Sequence, residues 1–304
     1  MTLAELNRLT KRFGAPGRIG FRMDGSGLPV AVLACKFGYA EVSLRGAQVV
    51  TYKPTGHAPV LWRGAVPPPH EIAAGAAQAA GIAGGVAPCW PWFGLAPSEG
   101  GSDHGFARQA EWSVVSTSYS DDATELSLGL VDSPETKALF PYSFAVMLHV
   151  SMGMSLKVEL TTRNAGIAPM ALTEGLLACL RVMRIEDARI EELDGAAVDD
   201  RLAGTKSRQE GDLEVASAHN ALYFPKRAYV RVADLALRRK IDLLFTGAKS
   251  VAVWNLQAGG ASGVPEDESR RMLCVGPVNA FERPVRLKPG EKHTLGLTVQ
   301  SRFL

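Results

Sequence analysis

The sequence predicts an all-β fold, a large antiparallel β-sandwich preceded by one short helix. Apolar and polar residues alternate in many short segments, and a period of two is the pattern of strands with one buried face. Glycine, proline and other turn-forming residues separate these segments. Because the strand patterns follow one another in series, they favour a sandwich over a βαβ fold.

The one convincing helix is predicted at residues 2–13. Thr2 and Glu5 have the spacing of a capping box, in which each side chain bonds the backbone N–H of the other residue. Three leucines at helical spacing share one face, and Gly14 follows as a stop signal.

The clearest strands are predicted at 144–150 and 156–160, where apolar residues occupy every second position. Residues 152–155 between them are typical of a hairpin turn. The same alternation recurs at 126–130 and 295–299.

Composition indicates a single domain over 1–304 that binds a small molecule. A chain of 304 residues with 46% hydrophobic content can bury a large core. The glycine- and alanine-rich stretches 73–85 and 259–263 are interpreted as surface loops, and no inter-domain linker is apparent. A formal net charge of +2, from 33 basic and 31 acidic residues, provides no strong field for nucleic acid or an anionic membrane.

The cysteines and the N-terminus set expectations for redox state and location. The cysteines lie in apolar contexts, with no CxxC pair and no histidine at metal-ligand spacing, so we expect buried thiols and no metal. They are Cys35, Cys89, Cys179 and Cys274. The N-terminal segment lacks the apolar core of a signal peptide, and no stretch of about 18 apolar residues occurs, so we expect a cytoplasmic protein.

The most informative segment is the aromatic run 89–96, with the sequence CWPWFGLA. The glycine pair 84–85 precedes it, and HGFAR follows at 104–108. Trp90 and Trp92 flank a proline, which extends the backbone and keeps the two indoles off one helical face. We expect an exposed aromatic pair that suits the apolar face of a sugar ring, in one cleft with the imidazole and guanidinium of 104–108.

This segment resembles the signature of the aldose 1-epimerase superfamily, most closely its hexose-6-phosphate mutarotase branch, where a GGIP-CWPWFG stretch is followed by HGFAR. Further segments resemble the family in the expected order along the chain. They are 42–48, 52–54, 61–62, 139–144, 158–160, Asn164, 253–255, 272–275 and 287–291. The resemblance implies a galactose mutarotase-like sandwich that interconverts the α and β anomers of a hexose 6-phosphate or related aldose, without a cofactor.

The resemblance implies that His104 is the catalytic acid. Mutarotation opens the hemiacetal ring and closes it on the other face of C1, so one group takes the proton of the C1 hydroxyl and another gives a proton to the ring oxygen. Imidazole suits this task because its pKa lies near neutrality. The alternative is a histidine that only holds its loop by hydrogen bonds.

The base that the resemblance implies is absent. The family has a glutamate directly after a Cys-Val pair, and here Gly276 follows that pair. Glu282 is a candidate substitute base and Glu174 a second one. If the strand still presents this position to the cleft, Gly276→Glu should raise anomer exchange.

Other family positions have also changed. Leu177 replaces a sugar-binding histidine, Ala83 stands where an arginine precedes the glycine pair, and 223–228 replaces a strand with a sugar-binding acid. Each lost hydrogen bond to a hexose is worth about 0.5 to 1.5 kcal/mol. A weakened enzyme follows from these changes.

The residues retained for ligand binding are aromatic or basic. They are Trp90, Trp92, Arg108 and Arg45, with Arg63 as a further candidate. Arg45 and Arg63 are candidates for phosphate binding, because guanidinium matches phosphate in two-point geometry. The alternatives are a strand-edge role for Arg63 and a buried structural role for Arg108.

Two other functions stay open. The first is a non-catalytic carbohydrate-binding or regulatory protein on the same fold, favoured if only apolar groups stand opposite His104. The second is a different phosphorylated or acidic ligand, favoured by Lys226 and Arg227.

Overall fold

The computed structural model describes residues 1–64, 84–97, 101–255 and 265–304. Within these residues the chain forms two large antiparallel sheets that pack face to face, and the sandwich prediction is confirmed. The predicted loop 259–263 and almost all of 73–85 lie outside the described residues.

Among the described residues, the first sheet has eleven strands. In spatial order they are β1 (Ile19–Met23), β2 (Pro29–Cys35), β3 (Gly38–Ser43), β4 (Val49–Pro54), β5 (Gly85–Cys89), β11 (Glu174–Arg181), β20 (Met272–Asn279), β19 (Ser250–Asn255), β16 (His219–Phe224), β13 (Ala197–Asp200) and β14 (Thr205–Arg208). Strands from distant parts of the chain meet at its centre, where β11 lies between β5 and β20.

The second sheet has nine strands in the described part of the chain. In spatial order they are β15 (Leu213–Glu214), β12 (Ala188–Glu191), β17 (Tyr229–Asp234), β18 (Arg239–Thr246), β22 (Lys292–Phe303), β9 (Leu156–Asn164), β8 (Phe144–Met152), β7 (Thr124–Val131) and β6 (Ser113–Tyr119). A separate pair is formed by β10 (Met170–Leu172) and β21 (Val285–Leu287).

Helix α1 (Leu3–Phe13) confirms the predicted N-terminal helix and its capping box. The backbone N–H of Glu5 donates to Thr2 Oγ1 at 3.3 Å, and the backbone N–H of Thr2 donates to Glu5 Oε2 at 2.6 Å. The prediction of one helix missed short elements that have too few residues to show a helical period. They are α2 (Pro134–Leu139), a 3₁₀ turn (Ile185–Asp187) and α3 (Glu266–Ser269). In the described part of the chain, no helix has the length and apolar character needed to cross a membrane.

The core lies between the two sheets and takes every second residue of their central strands. On β11 the even-numbered Leu176, Ala178 and Leu180 are fully buried, and they share one apolar cluster with residues of β9 such as Val158 and Leu160. Because neighbouring side chains on a strand point to opposite faces, the odd-numbered residues of β11 lie on the other side of the sheet. We call that side the open face.

The expectation of four buried thiols is wrong for three cysteines, since two are bonded to each other and one is partly exposed. Cys179 of β11 lies directly opposite Cys274 of β20, and the two form a disulfide. A separation of 95 residues hides this pairing in the sequence, because only the strand register brings the residues together. Cys89 is a buried free thiol, and Cys35 is a partly exposed one.

Glu174, a candidate base, lies on the core side at the start of β11. Its side chain is fully buried, and its Oε1 lies 3.1 Å from His293 Nε2 of β22. Asn279 of β20 donates to the same oxygen at 3.3 Å. This carboxylate therefore links β11, β20 and β22 from inside the sandwich and does not face the open side of the sheet.

We expect Glu174→Gln to lower the stability of the protein, and we expect the difference from wild type to become smaller as the pH rises. The hydrogen bond and charge of Glu174 raise the pKa of His293, despite burial and the nearby Lys249. Because the pKa of His293 is higher in the folded protein than in the unfolded chain, its pairing with Glu174 stabilises the fold. This stabilisation is fully present below about pH 6.5, the unfolded pKa, and is lost as the pH rises through the folded pKa. Above that range the charge pairing with His293 is lost, and the hydrogen bond from Asn279 to Glu174 remains. Melting temperatures of both proteins between pH 5.5 and 9 test this, with Glu125→Gln beside the partly exposed His149 as control. A difference that is constant with pH would contradict the prediction.

Candidate functional site

Backbone hydrogen bonds join the aromatic run to the HGFAR segment. The N–H of His104 donates to the Gly94 carbonyl at 2.7 Å, and the N–H of Trp90 donates to the His104 carbonyl at 3.2 Å. His104 has φ +62°, a left-handed conformation that a non-glycine residue keeps only where its surroundings hold it. The two segments therefore meet, as the sequence predicts.

Gly105 makes this approach possible. Its φ is +80°, and a Cβ there would lie 1.9 Å from the Trp90 carbonyl oxygen. Only glycine fits this position without moving the backbone. The glycine of HGFAR thus fixes where the neighbouring imidazole stands.

The His104 ring is a neutral hydrogen-bond donor at physiological pH. The backbone N–H of Gly94 donates to Nδ1 at 3.3 Å, so the ring hydrogen is on Nε2. Burial, and next the positive charge of Arg108, lower the pKa of His104 to about 4. The ring also meets the edge of Phe93, with 5.0 Å between the two centroids.

The two tryptophans do not form the exposed pair that we predicted. Trp90 is completely buried, and its Nε1 donates to Thr162 Oγ1 of the opposite sheet at 3.0 Å. Trp92 is 7% exposed, and its Nε1 donates to the carbonyl of Ser102 at 2.9 Å. The alternation of β5 continues past its end and turns Trp90 into the core. Trp90 cannot contact a ligand in an open cleft.

The predicted basic residues have different surroundings. Arg108 is partly buried, and its Nε has no hydrogen-bond partner in the described part of the chain. Arg45 pairs through its backbone with Glu111, which places it near the Arg108 segment. Arg63 forms an ion pair with Asp24, in the turn between β1 and β2, at a distance of 2.6 Å between their nitrogen and oxygen atoms. Its guanidinium therefore binds a carboxylate of the protein at the position where we predicted a phosphate.

The open face of the first sheet is mostly apolar below this segment. Cross-strand pairing aligns two rows of residues, which we call the floor. The first row is Ala87, Leu177, Gly276, Ala252, Leu222 and Asp199, and the second is Gly85, Cys179, Cys274, Trp254 and Asn220. Charged and amide side chains enter only at the β13 and β16 end, and the disulfide lies in the middle of the second row.

Aromatic rings complete the floor. The Phe93 ring lies over Gly175 and joins one apolar cluster with Phe224, Phe281, Leu177 and neighbouring floor residues. Sequence reasoning did not single out these phenylalanines, although Phe93 lies in the aromatic run 89–96, because only the folded chain brings the three rings into one cluster. Trp254, in the second row, is a partly exposed member of the floor.

Gly276 stands where the strands approach too closely for any side chain. A Cβ there would lie 2.0 Å from the Leu176 carbonyl oxygen and 3.1 Å from the Leu177 Cα. The expectation that Gly276→Glu restores a base is therefore wrong for this backbone, because the added atoms collide with β11. The apolar Leu177 side chain stands directly beside this gap.

The other sequence candidates are away from His104. Glu282 is exposed on the turn after β20 and makes no hydrogen bond to the His104 segment in the described residues. In the strand expected to hold a sugar-binding acid, Tyr223 faces the core and its hydroxyl lies 3.0 Å from His219 Nε2. Lys226 and Arg227 are exposed beyond that strand, with Arg227 3.7 Å from Glu192. Among the described residues no carboxylate forms a hydrogen bond or an ion pair with the His104 ring, and the charge of the adjacent Asp103 only partly offsets the effects of burial and Arg108 on its pKa.

The fold and this site define a galactose mutarotase-like β-sandwich. Similar in fold is the crystal structure of a "putative mutarotase (YeaD)" from Salmonella typhimurium, with a TM-score of 0.83 and 23% identity over 94% of each chain. Similar in sequence is the "Putative glucose-6-phosphate 1-epimerase" of S. typhimurium, 28% identical over 82% of this chain and 84% of that protein. The Escherichia coli K12 protein of the same description is 27% identical, over 80% of each.

The family model described as "Aldose 1-epimerase" matches residues 34–300. The chain belongs to the aldose 1-epimerase family.

We expect Gly276→Ala to destabilise the fold rather than alter a reaction alone. One methyl group there meets the β11 backbone, and overpacking of this kind costs about 3 kcal/mol. Gly20→Ala in β1 is the matched control, because a Cβ at Gly20 meets nothing within 4 Å. Thermal denaturation of the two variants tests this. Equal melting temperatures of Gly276→Ala and Gly20→Ala would contradict the prediction, because they would show that β11 and β20 can move apart at little cost in free energy.

The His104 ring should stay neutral from pH 8 to pH 5 and titrate near pH 4. Since its folded pKa lies below the unfolded value, the stability it contributes is full above about 6.5 and is lost as the pH falls toward 4. Long-range ¹H–¹⁵N NMR of the imidazoles measures both the protonation state and the tautomer, with His104→Asn to assign the signal. Protonation of His104 at pH 6 or above would overturn the assignment.

Proposed function

We propose that this protein interconverts the α and β anomers of a hexose 6-phosphate or related aldose, more slowly than family members that carry a carboxylate at the position of Gly276. The observation that carries the proposal is the neutral His104 imidazole, fixed by Gly94 and set against Phe93 at the edge of the floor. The similarity to the two bacterial proteins named "Putative glucose-6-phosphate 1-epimerase" supports this substrate class.

The geometry of His104 suits donation to the ring oxygen of a pyranose. Ring opening needs a hydrogen-bond donor at that oxygen and an acceptor for the proton of the C1 hydroxyl. Nε2–H supplies the donor without becoming charged, as a neutral imidazole does when it polarises a carbonyl. Water takes the proton of the C1 hydroxyl in place of a carboxylate and returns a proton to the ring oxygen as the bond between C1 and that oxygen breaks, so the imidazole stays neutral.

The missing carboxylate sets the expected rate. One positioned acid or base contributes on the order of 10²- to 10⁴-fold, so the protein loses about that factor relative to members with both groups. The apolar floor suits the C–H face of the sugar, whereas polar contacts to its hydroxyls are confined to the floor's ends.

Anomer exchange of glucose 6-phosphate, followed by NMR saturation transfer, tests this proposal. We expect wild type to accelerate exchange modestly over the spontaneous rate, and His104→Asn to reduce the protein-dependent part at least about tenfold. His149→Asn, on the outer side of the second sheet, is the matched control. An acceleration that survives His104→Asn would refute the role of His104.

A second candidate, a non-catalytic carbohydrate-binding protein on the same fold, is favoured by the apolar residues along the first floor row. Leu177, Ala252 and Leu222 provide a surface for a sugar ring but no group that accepts a proton. The same NMR samples separate the two functions. Saturation transfer from protein to sugar without faster exchange would indicate binding alone.

A further inference from the structure

We propose that the Glu268 carboxylate binds a hydroxyl group of the sugar, on the side of the ring opposite the ring oxygen. This inference rests on the proposed function for the position of the sugar, in which His104 donates to that oxygen. Glu268 belongs to helix α3, outside both floor rows. Its role is in binding and not in proton transfer.

The indole of Trp62 places Glu268 at the second floor row. Trp62 is fully buried, and its Nε1 donates to Glu268 Oε2 at 2.9 Å. The other members of the Trp62 cluster lie on the open face of β11, β19 and β20. They are Cys179, Trp254, Met272 and Cys274. The Glu268 carboxylate therefore stands at the open face, beside the disulfide.

The ends of two floor strands hold α3 in this position. The side-chain amide of Asn255, at the end of β19, donates to the Ser269 carbonyl at 2.9 Å and also to the carbonyl of Met272 at the start of β20. Asn255 is fully buried, so water does not compete for these bonds. Within the helix, Ser269 Oγ donates to the Glu266 carbonyl at 2.7 Å. A fixed turn of helix thus presents Glu268.

Glu268 keeps one carboxylate oxygen for a ligand. Oε2 accepts the hydrogen bond of Trp62, whereas among the described residues Oε1 accepts none and the carboxylate forms no ion pair. The residue is half-buried. A carboxylate that is partly shielded from water accepts strong hydrogen bonds from O–H donors. The hydroxyl groups of a sugar are donors of this kind.

The distance between the two ends suits one sugar ring. The Phe93 ring, which meets the His104 ring, lies over Gly175 of β11. Cys179 of the Trp62 cluster follows four residues later on the same strand, a span of about 13 Å. This span leaves room for one pyranose ring with a hydrogen bond of about 2.8 Å at each end. Leu177 lies between the two ends and offers an apolar surface to the ring.

The connectivity of a pyranose determines which hydroxyl reaches Glu268. C1 and C5 flank the ring oxygen, and C6, which carries the phosphate of a hexose 6-phosphate, is bonded to C5. These groups therefore stay at the His104 end. C3 lies opposite the ring oxygen, so its hydroxyl points toward the second row. Glu268 is for the same reason too far from C1 to serve as the missing base.

The partly exposed indole of Trp254 gives this end an apolar wall. Trp254 lies beside Cys274 in the second row and belongs to the same cluster as Trp62. An indole packs against the C–H groups of a sugar while a neighbouring carboxylate binds a hydroxyl group. A phosphate here would meet the negative charge of Glu268. This end of the floor thus suits the uncharged, hydroxyl-bearing side of the ring.

Binding of glucose and of 3-deoxyglucose to Glu268→Gln, measured by calorimetry, tests the site. In the variant the amide oxygen stays on the Trp62 N–H, and the amide nitrogen replaces the free acceptor. We expect glucose to bind roughly tenfold more weakly than to wild type, since a hydrogen bond to a charged group is worth about that factor. We expect 3-deoxyglucose to bind both proteins equally. Glu266→Gln is the matched control, because it removes an exposed carboxylate from the same helix.

The outcomes separate this inference from the proposed function. Unchanged glucose affinity of Glu268→Gln, or no glucose binding by wild type, would overturn the site, even if wild type exchanges anomers of glucose 6-phosphate. An equal loss for glucose and 3-deoxyglucose would also overturn it, because Glu268 would then not act through that hydroxyl. A loss confined to glucose would support the site, even if wild type shows no exchange and the proposed activity fails. Melting temperatures confirm that each variant folds.

Discussion

The hydrogen-bonded register of β11 between β5 and β20 is the constraint on which the rest of the structure depends. It sends Leu176 into the core and Leu177 onto the open face, and a slip of one residue would exchange every such pair. The same register places Cys179 opposite Cys274. The residues of the core, the residues of the floor and the disulfide are therefore all determined by the pairing of β11 with β5 and β20.

Close backbone contacts turn that pairing into a specific site. At Gly276 the neighbouring strand leaves no room for a Cβ, so the position offers a gap beside Leu177 instead of a carboxylate. At Gly105 a similar contact with Trp90 fixes the loop that carries His104. In one place close packing removes a functional group, and in the other it positions one. The proposed chemistry relies on a single neutral imidazole over an apolar surface.

Local signals allowed the fold to be predicted, while contacts between distant residues decided most of what was missed. The capping box of α1 and the alternation in β8 and β9 depend on neighbours in sequence, so they could be identified without coordinates. The burial of Trp90 depends on which face β5 turns inward. The engagement of Arg63 depends on a turn 39 residues earlier in the chain. Neither property has a local signature, and the same holds for the floor.

The family resemblance located the HGFAR segment, but the expectation it gave for Gly276 was wrong. That expectation assumed that this strand position could carry any side chain. A family motif identifies which residues were inherited at a site. It does not show whether the backbone still accepts the residue that was lost. The clash at Gly276 indicates that the strands have closed around the glycine, so reversing the substitution would require β11 to move as well.

Burial acts oppositely at the two ends of the floor. At the inner end it lowers the pKa of His104 and keeps the ring uncharged, so an apolar sugar face and a ring oxygen can approach without displacing a hydrated cation. At the other end of the floor, the exposed Arg201 and Arg283 stack on Phe281 and Phe224. The floor therefore combines an apolar surface and a neutral imidazole at one end with exposed basic side chains at the other.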